Sequence, residues 1–114
     1  MTGLVEVRAA LAGIGGLEIV TAESGCDVAD IVCRLRALEA EIVLLLIDSS
    51  TSAMDRAMLR AAIGPLAIER APQMRIGAIE IGEGAATVDV VAAAGFLASA
   101  RSTTGQILKI TATG

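Results

Sequence analysis

The sequence predicts an α/β fold built on a parallel sheet of about four to five strands, with helices on both faces. Three observations carry this. Short apolar runs alternate with helical patterns along the whole chain, as a parallel sheet with crossover helices requires. The runs Leu17 to Thr21 and Ile42 to Ile47 are nearly continuous in branched apolar residues, which marks strands covered on both faces. No linker, repeat or low-complexity stretch interrupts the 114 residues, so the chain reads as one domain, 1–114.

The elements follow in order. After the apolar segment Leu4 to Leu11 and the strand Leu17 to Thr21, residues Val28, Ile31, Val32, Leu35 and Leu38 recur at helical spacing, with Asp27 placed to cap. The strand Ile42 to Ile47 leads to Ser52 and Asp55, a capping-box pattern that opens a second helix carrying Met58, Leu59, Ala62, Ile63 and Leu66. Gly64 and Pro65 predict a kink within that helix, and Pro72 its end. Arg75 to Ile81 and Gln106 to Thr111 read as two further strands. Between them, about Ala86 to Ala100, lies a helix that is apolar nearly all round; such a helix is buried on more than one side, one side by the sheet and the other by a second subunit.

Composition excludes several classes of function. A net charge of −4, no basic run and Phe96 as the sole aromatic residue argue against nucleic acid as a partner. The longest unbroken apolar run, Ile42 to Ile47, is far short of the roughly 20 residues a bilayer demands, so no membrane span is expected. Glu6 and Arg8 interrupt any signal-peptide pattern, which makes the cytoplasm the expected location. Without His there is no Cys/His metal set, and Cys26 and Cys33 read as small buried hydrophobes.

The stretch Val88-Asp89-Val90-Val91-Ala92-Ala93-Ala94-Gly95-Phe96-Leu97-Ala98-Ser99, followed by Thr104-Gly105-Gln106-Ile107-Leu108-Lys109-Ile110, resembles the end of the short-chain dehydrogenase/reductase family. Upstream, Ala67-Ile68-Glu69-Arg70-Ala71-Pro72-Gln73-Met74-Arg75-Ile76-Gly77-Ala78-Ile79 is similar to that family's passage from helix to sixth strand, with Gly77 in place of its Asn. Leu17 to Gly25 resembles its fourth strand, and Ile42 to Ser50 its fifth. The resemblance implies a Rossmann-like three-layer fold and covers the C-terminal half of a normal member, as in a truncated, degenerate relative.

For catalysis the resemblance implies a Tyr-x-x-x-Lys pair on the helix after the fifth strand, with a Ser at that strand's end. Counting back from Glu69 places Ser52 at the Tyr position and Arg56 at the Lys position, with Ser50 among the strand-end hydroxyls. An unactivated alcohol cannot replace a phenol as an acid, and no His is present to activate it. Arg56 is effectively never deprotonated and can only bind or stabilise anions. Ser49, Ser50, Thr51 and Ser52 read most simply as turn and cap residues.

For the cofactor the family uses NAD(P), held by a glycine-rich turn in its N-terminal half. Gly13-Ile14-Gly15-Gly16 precedes a strand instead of joining a strand to a helix, and reads as a plain turn. Gly82 matches a family glycine after the sixth strand. Thr87 stands one residue beyond the usual position of a Thr that contacts the nicotinamide, and reads as a helix N-cap, with Gly84 as a turn. No cofactor and no metal are expected.

The favoured reading is a non-catalytic relative acting in assembly or binding, a pseudo-enzyme subunit. Without the family's first three strands, Leu17 to Glu23 becomes an apolar sheet edge that either the segment Leu4 to Leu11 or a second chain must cover. The expected partner is a second copy, giving a dimer or tetramer, or an intact reductase in a heteromer; the stretches 28–39 and 52–70 resemble the family's dimer helices. An alternative is an oxidoreductase subunit whose NAD(P) site is completed by a partner chain. A weaker alternative rests on Ile47-Asp48-Ser49-Ser50, which is similar to the phosphorylated segment of anti-sigma-antagonist-like domains, with Thr51 where their Gly follows.

Overall fold

A computed structural model describes residues 3–100 and 103–112. The chain forms α1 (Leu4–Leu11), β1 (Leu17–Ala22), α2 (Val28–Ala37), β2 (Ile42–Ile47), α3 (Ala53–Arg70), β3 (Arg75–Ile81), α4 (Thr87–Ser99) and β4 (Ile107–Ile110). The strands make one four-stranded sheet in the order β1-β2-β3-β4, parallel throughout. Layers of helix cover both faces. This is the Rossmann-like α/β arrangement that the alternation predicts.

The two faces divide the strand residues by parity, since successive side chains point to opposite sides. Val20, Val43, Leu45, Ile47, Ile76 and Ala78 pack with Ile31 and Leu35 of α2 and Leu59, Ile63 and Leu66 of α3. Ile42, Leu44, Leu46, Ile79 and Ile81 pack with Val7 and Leu11 of α1 and Val90, Ala94 and Leu97 of α4. Strand β2 is buried at all six positions, which is why its sequence shows no alternation. Strand order follows chain order while α4 lies on the face opposite α2 and α3, so the β3–α4–β4 crossover has the opposite hand to the two before it.

Asp27 caps α2 by accepting from the Asp30 amide at 3.2 Å, and Ser52 caps α3 by accepting from the Asp55 amide at 3.1 Å. Helix α3 continues through Gly64 and Pro65 to Arg70. Helix α4 has no basic residue in its last turn. Arg75 of β3 supplies the missing donors, reaching the carbonyls of Leu97, Ala98 and Ala100 at 3.4, 3.1 and 2.8 Å. A Cβ on Gly77 would stand 3.1 Å from Leu44 Cδ2 and 3.5 Å from Leu97 Cδ1, so its lack of a side chain lets α4 close onto the sheet.

The structure narrows one expectation and corrects another. Leu4 to Leu11 is a helix lying on the sheet face, packed on α4, and does not pair with β1, which removes the first of the two covers expected for that edge. The second side of α4 is therefore shared with α1, although Val88 and Phe96 remain 71% and 61% exposed. The cysteines are not core residues either: Cys26 is half-buried in the loop before α2 and Cys33 is exposed on α2. Ile31 and Leu35 take the inward face, and Cys33 points away from it. Among the described residues no helix is long and apolar enough to cross a membrane.

Candidate functional site

In an open α/β sheet a crevice opens outside the carboxyl ends of the strands wherever adjacent connections leave toward opposite faces. Here β2 runs on to α3 and β3 runs on to α4, so this point lies between β2 and β3. The segments Asp48 to Ser52 and Gly82 to Ala86 border it. Every sequence-predicted site residue sits on one of these segments or on the first turn of the helix that follows.

The hydroxyl cluster is tied down by local polar chemistry. Asp48 extends the β1–β2 ladder by donating its amide to the Ala22 carbonyl at 2.8 Å. Its Oδ2 accepts from the Ser50 amide at 3.2 Å and from Ser50 Oγ at 2.6 Å, a turn of the type Asp residues favour. Ser50 Oγ in turn accepts the Ser24 amide at 3.0 Å, fastening the loop after β1 to the loop after β2. Thr51 is buried and donates its hydroxyl to the Ala22 carbonyl at 3.0 Å. Ser52 is the cap of α3, as its spacing to Asp55 predicts.

Arg56 lies one turn into α3. Its Nη2 donates to the carbonyls of Ser49 and Thr51, both at 3.1 Å, and its Nε lies 3.7 Å from Glu80 Oε1. The same buried carboxylate faces Arg60, with Nε 3.6 Å from Oε2. Glu80 is 4% exposed and belongs to the next-to-last position of β3. Two guanidiniums spaced i, i+4 on α3 thus bracket one carboxylate on the neighbouring strand. Burial of a carboxylate demands such compensation. Sequence reasoning missed Glu80 and Arg60; the available signal was a lone acid in an otherwise apolar strand end opposite a helix bearing Arg56 and Arg60 four residues apart.

On the other segment, Gly82 donates its amide to the Ile110 carbonyl at 2.7 Å, and a Cβ there would stand 3.0 Å from that oxygen. Close approach of β4 accounts for this glycine. Gly84 adopts φ +78°, the turn expected of it. Thr87 is not the N-cap of α4: Ala86 holds that position without a side-chain bond, and Thr87 Oγ1 accepts the Gly3 amide at 3.2 Å, joining α1 to α4.

A dinucleotide cradle needs a glycine-rich turn between a strand's carboxyl end and a helix amino terminus. Gly13 to Gly16 follows α1 and precedes β1, at the opposite end of the sheet, and the Gly16 carbonyl accepts the amides of Glu41 and Ile42 at 3.0 and 3.1 Å. Gly82 and Thr87 are engaged as described, so these residues do not fit that group. Among the described residues no cluster of His, Cys, Asp or Glu could hold a metal ion. Two polar grooves of about 390 and 520 Å³ border Gln73 at the amino-terminal end of the sheet, away from the crevice.

Burial is the main cause of a raised Cys26 thiol pKa, with the negative charge of Asp55 adding to it. The thiol is therefore held in its less nucleophilic, protonated form. Taken together, the carboxyl end of the sheet contains hydroxyls, a carboxylate and guanidiniums that are largely engaged inside the fold. The exposed Ser49 side chain is one exception, and the buried Arg56 Nε makes no hydrogen bond and has only the ion pair with Glu80 at 3.7 Å. A protein-family model described as SDR-like, short chain dehydrogenase-like protein, matches residues 22–110. No curated protein and no solved structure matches the chain.

Proposed function

The chain belongs to the SDR-like, short chain dehydrogenase-like family, and from that membership we propose that it is a non-catalytic member whose role is assembly or binding. The observation that carries this is the employment of Ser52 and Arg56. Ser52 Oγ accepts the Asp55 amide as the cap of α3, and Arg56 is committed to the Ser49 and Thr51 carbonyls and to Glu80. At the positions that correspond to the family's proton-transfer pair, one group is an alcohol without an activating base and the other is a cation that does not titrate. Their work is to cap α3 and to tie the β2–α3 loop to that helix and to Glu80 of β3.

In this reading the chain takes no NAD(P) into a site of its own and acts by forming an oligomer, with itself or with an intact reductase. Native mass spectrometry with NADH and NADPH, run beside a turnover assay over a panel of carbonyl substrates, tests it. A cofactor-free oligomer without turnover is the expected result. Turnover, or a bound dinucleotide at unit stoichiometry, overturns the reading.

A further inference from the structure

We infer that the edge of β1 is the surface through which the chain meets a second copy of itself, the two β1 strands pairing antiparallel across a twofold axis at Ile19; this rests on the assembly reading above and names its partner and surface. The ladder between β1 and β2 consumes alternate residues of β1. Gly16 accepts the Ile42 amide and Ala22 accepts the Asp48 amide, so in the observed register Glu18, Val20 and Ala22 turn their backbone groups toward β2. Leu17, Ile19 and Thr21 therefore turn N–H and C=O outward, and among the described residues no chain pairs with them.

The two edges of the sheet are not alike. Strand β4 is four residues long and carries the exposed Lys109, the devices by which proteins protect an edge. Strand β1 is six residues long, regular, and without Pro, Lys or a bulge; its one charge, the exposed Glu18, lies on the opposite face from Leu17 and Ile19. Its outward-facing residues Leu17 and Ile19 are apolar and only half-buried. Such an edge is a template for pairing.

The edge is also self-complementary. With Ile19 on a twofold axis normal to the sheet, Ile19 faces Ile19 of the second copy, and Leu17 faces Thr21 in both directions. All three are hydrogen-bonded pairs, so every outward N–H and C=O of the strand is satisfied and two four-stranded sheets join into one. The faces agree as well, because Leu17, Ile19 and Thr21 share one side of the sheet and meet their own kind there. An isologous pairing of this sort closes at the dimer. Glu18 falls opposite Val20, and the two Glu18 side chains are diagonal neighbours about 7–8 Å apart. Salt screens that repulsion and so tightens the dimer.

The test is amide hydrogen exchange by NMR on the 114-residue chain at low-micromolar and near-millimolar concentration, with mass by light scattering. A dimer forms at the higher concentration, and the Ile19 and Thr21 amides become protected there alone, while Glu18 and Val20 are protected at both. Thr21→Pro removes one outward donor from each copy without touching the β2 ladder and weakens the dimer about thirtyfold. Glu18→Gln, on an exposed side chain, tightens it about twofold and keeps the test decisive should the proline variant not fold. A dimer whose Ile19 and Thr21 amides exchange alike at both concentrations overturns this inference and leaves the assembly reading standing. An open series of masses overturns the twofold pairing. A monomer at near-millimolar concentration overturns self-pairing, and turnover of a carbonyl substrate with NADPH overturns the assembly reading itself.

Discussion

The carboxyl ends of β2 and β3 and the outer edge of β1 lie in the same small sheet and treat polar groups in opposite ways. At the carboxyl ends, where this architecture places ligands, the Ser50, Thr51 and Ser52 hydroxyls and Arg56 Nη2 are hydrogen-bonded within the fold, and Glu80 is ion-paired with Arg56 and Arg60. At the β1 edge, a row of backbone donors and acceptors faces outward beside half-buried Leu17 and Ile19. The difference teaches where each region's free energy is directed. Groups already satisfied inside the fold stabilise it and have little left for a ligand, whereas unsatisfied groups beside apolar surface gain most from a partner.

Breaking the saturated region has the largest expected effect at Glu80. Glu80→Ala leaves two guanidiniums without their carboxylate and lowers stability by about 2–3 kcal/mol, below the usual cost of breaking a fully buried pair because both arginines retain solvent access. Urea denaturation measures it, and a loss under about 0.5 kcal/mol, the range of ordinary surface substitutions, removes the structural role assigned to the trio. Arg56→Met comes next at about 1–2 kcal/mol, since it releases the Ser49 and Thr51 carbonyls as well as Glu80. Ser52→Ala follows with about 1 kcal/mol for a lost N-cap. All three are structural losses, so none changes a binding isotherm for NAD(P)H.

The smallest effect sharpens the contrast at the loop after β1. Iodoacetamide at mildly alkaline pH is expected to label exposed Cys33 well before Cys26, whose thiol burial and Asp55 hold protonated. The sign for stability follows: a thiol whose pKa is raised on folding contributes stability below its unfolded value, and that contribution is lost as pH rises through the raised value. Mass spectrometry of the labelled peptides gives the order of reaction; faster labelling of Cys26 contradicts it.

The regular elements were legible because each carried its own local signal. The bounds Ile42–Ile47 and Arg75–Ile81 coincide with the expected ones, β1 reaches one residue further to Ala22, and β4 is one residue shorter at each end. Ser52 and Asp27 announce their helices through cap chemistry that needs no tertiary context. What escaped depends on distant partners. Glu80 meets Arg56 and Arg60 only once α3 has crossed back over β3, and Thr87 finds Gly3 only once α1 lies on α4. The exposure of Cys33 was readable, since Ile31 and Leu35 already fix the inward face of α2.

The central proposal is that the positions corresponding to a reductase's proton-transfer pair serve the fold, with no dinucleotide site built from the described residues. Its most direct test is the melting temperature with and without NADH and NADPH. A ligand present at a hundred times its dissociation constant adds about 2.7 kcal/mol, on the order of 10 °C for a domain of this size. The account predicts an unchanged melting temperature with either cofactor; a saturable rise of several degrees that Arg56→Met abolishes would contradict it.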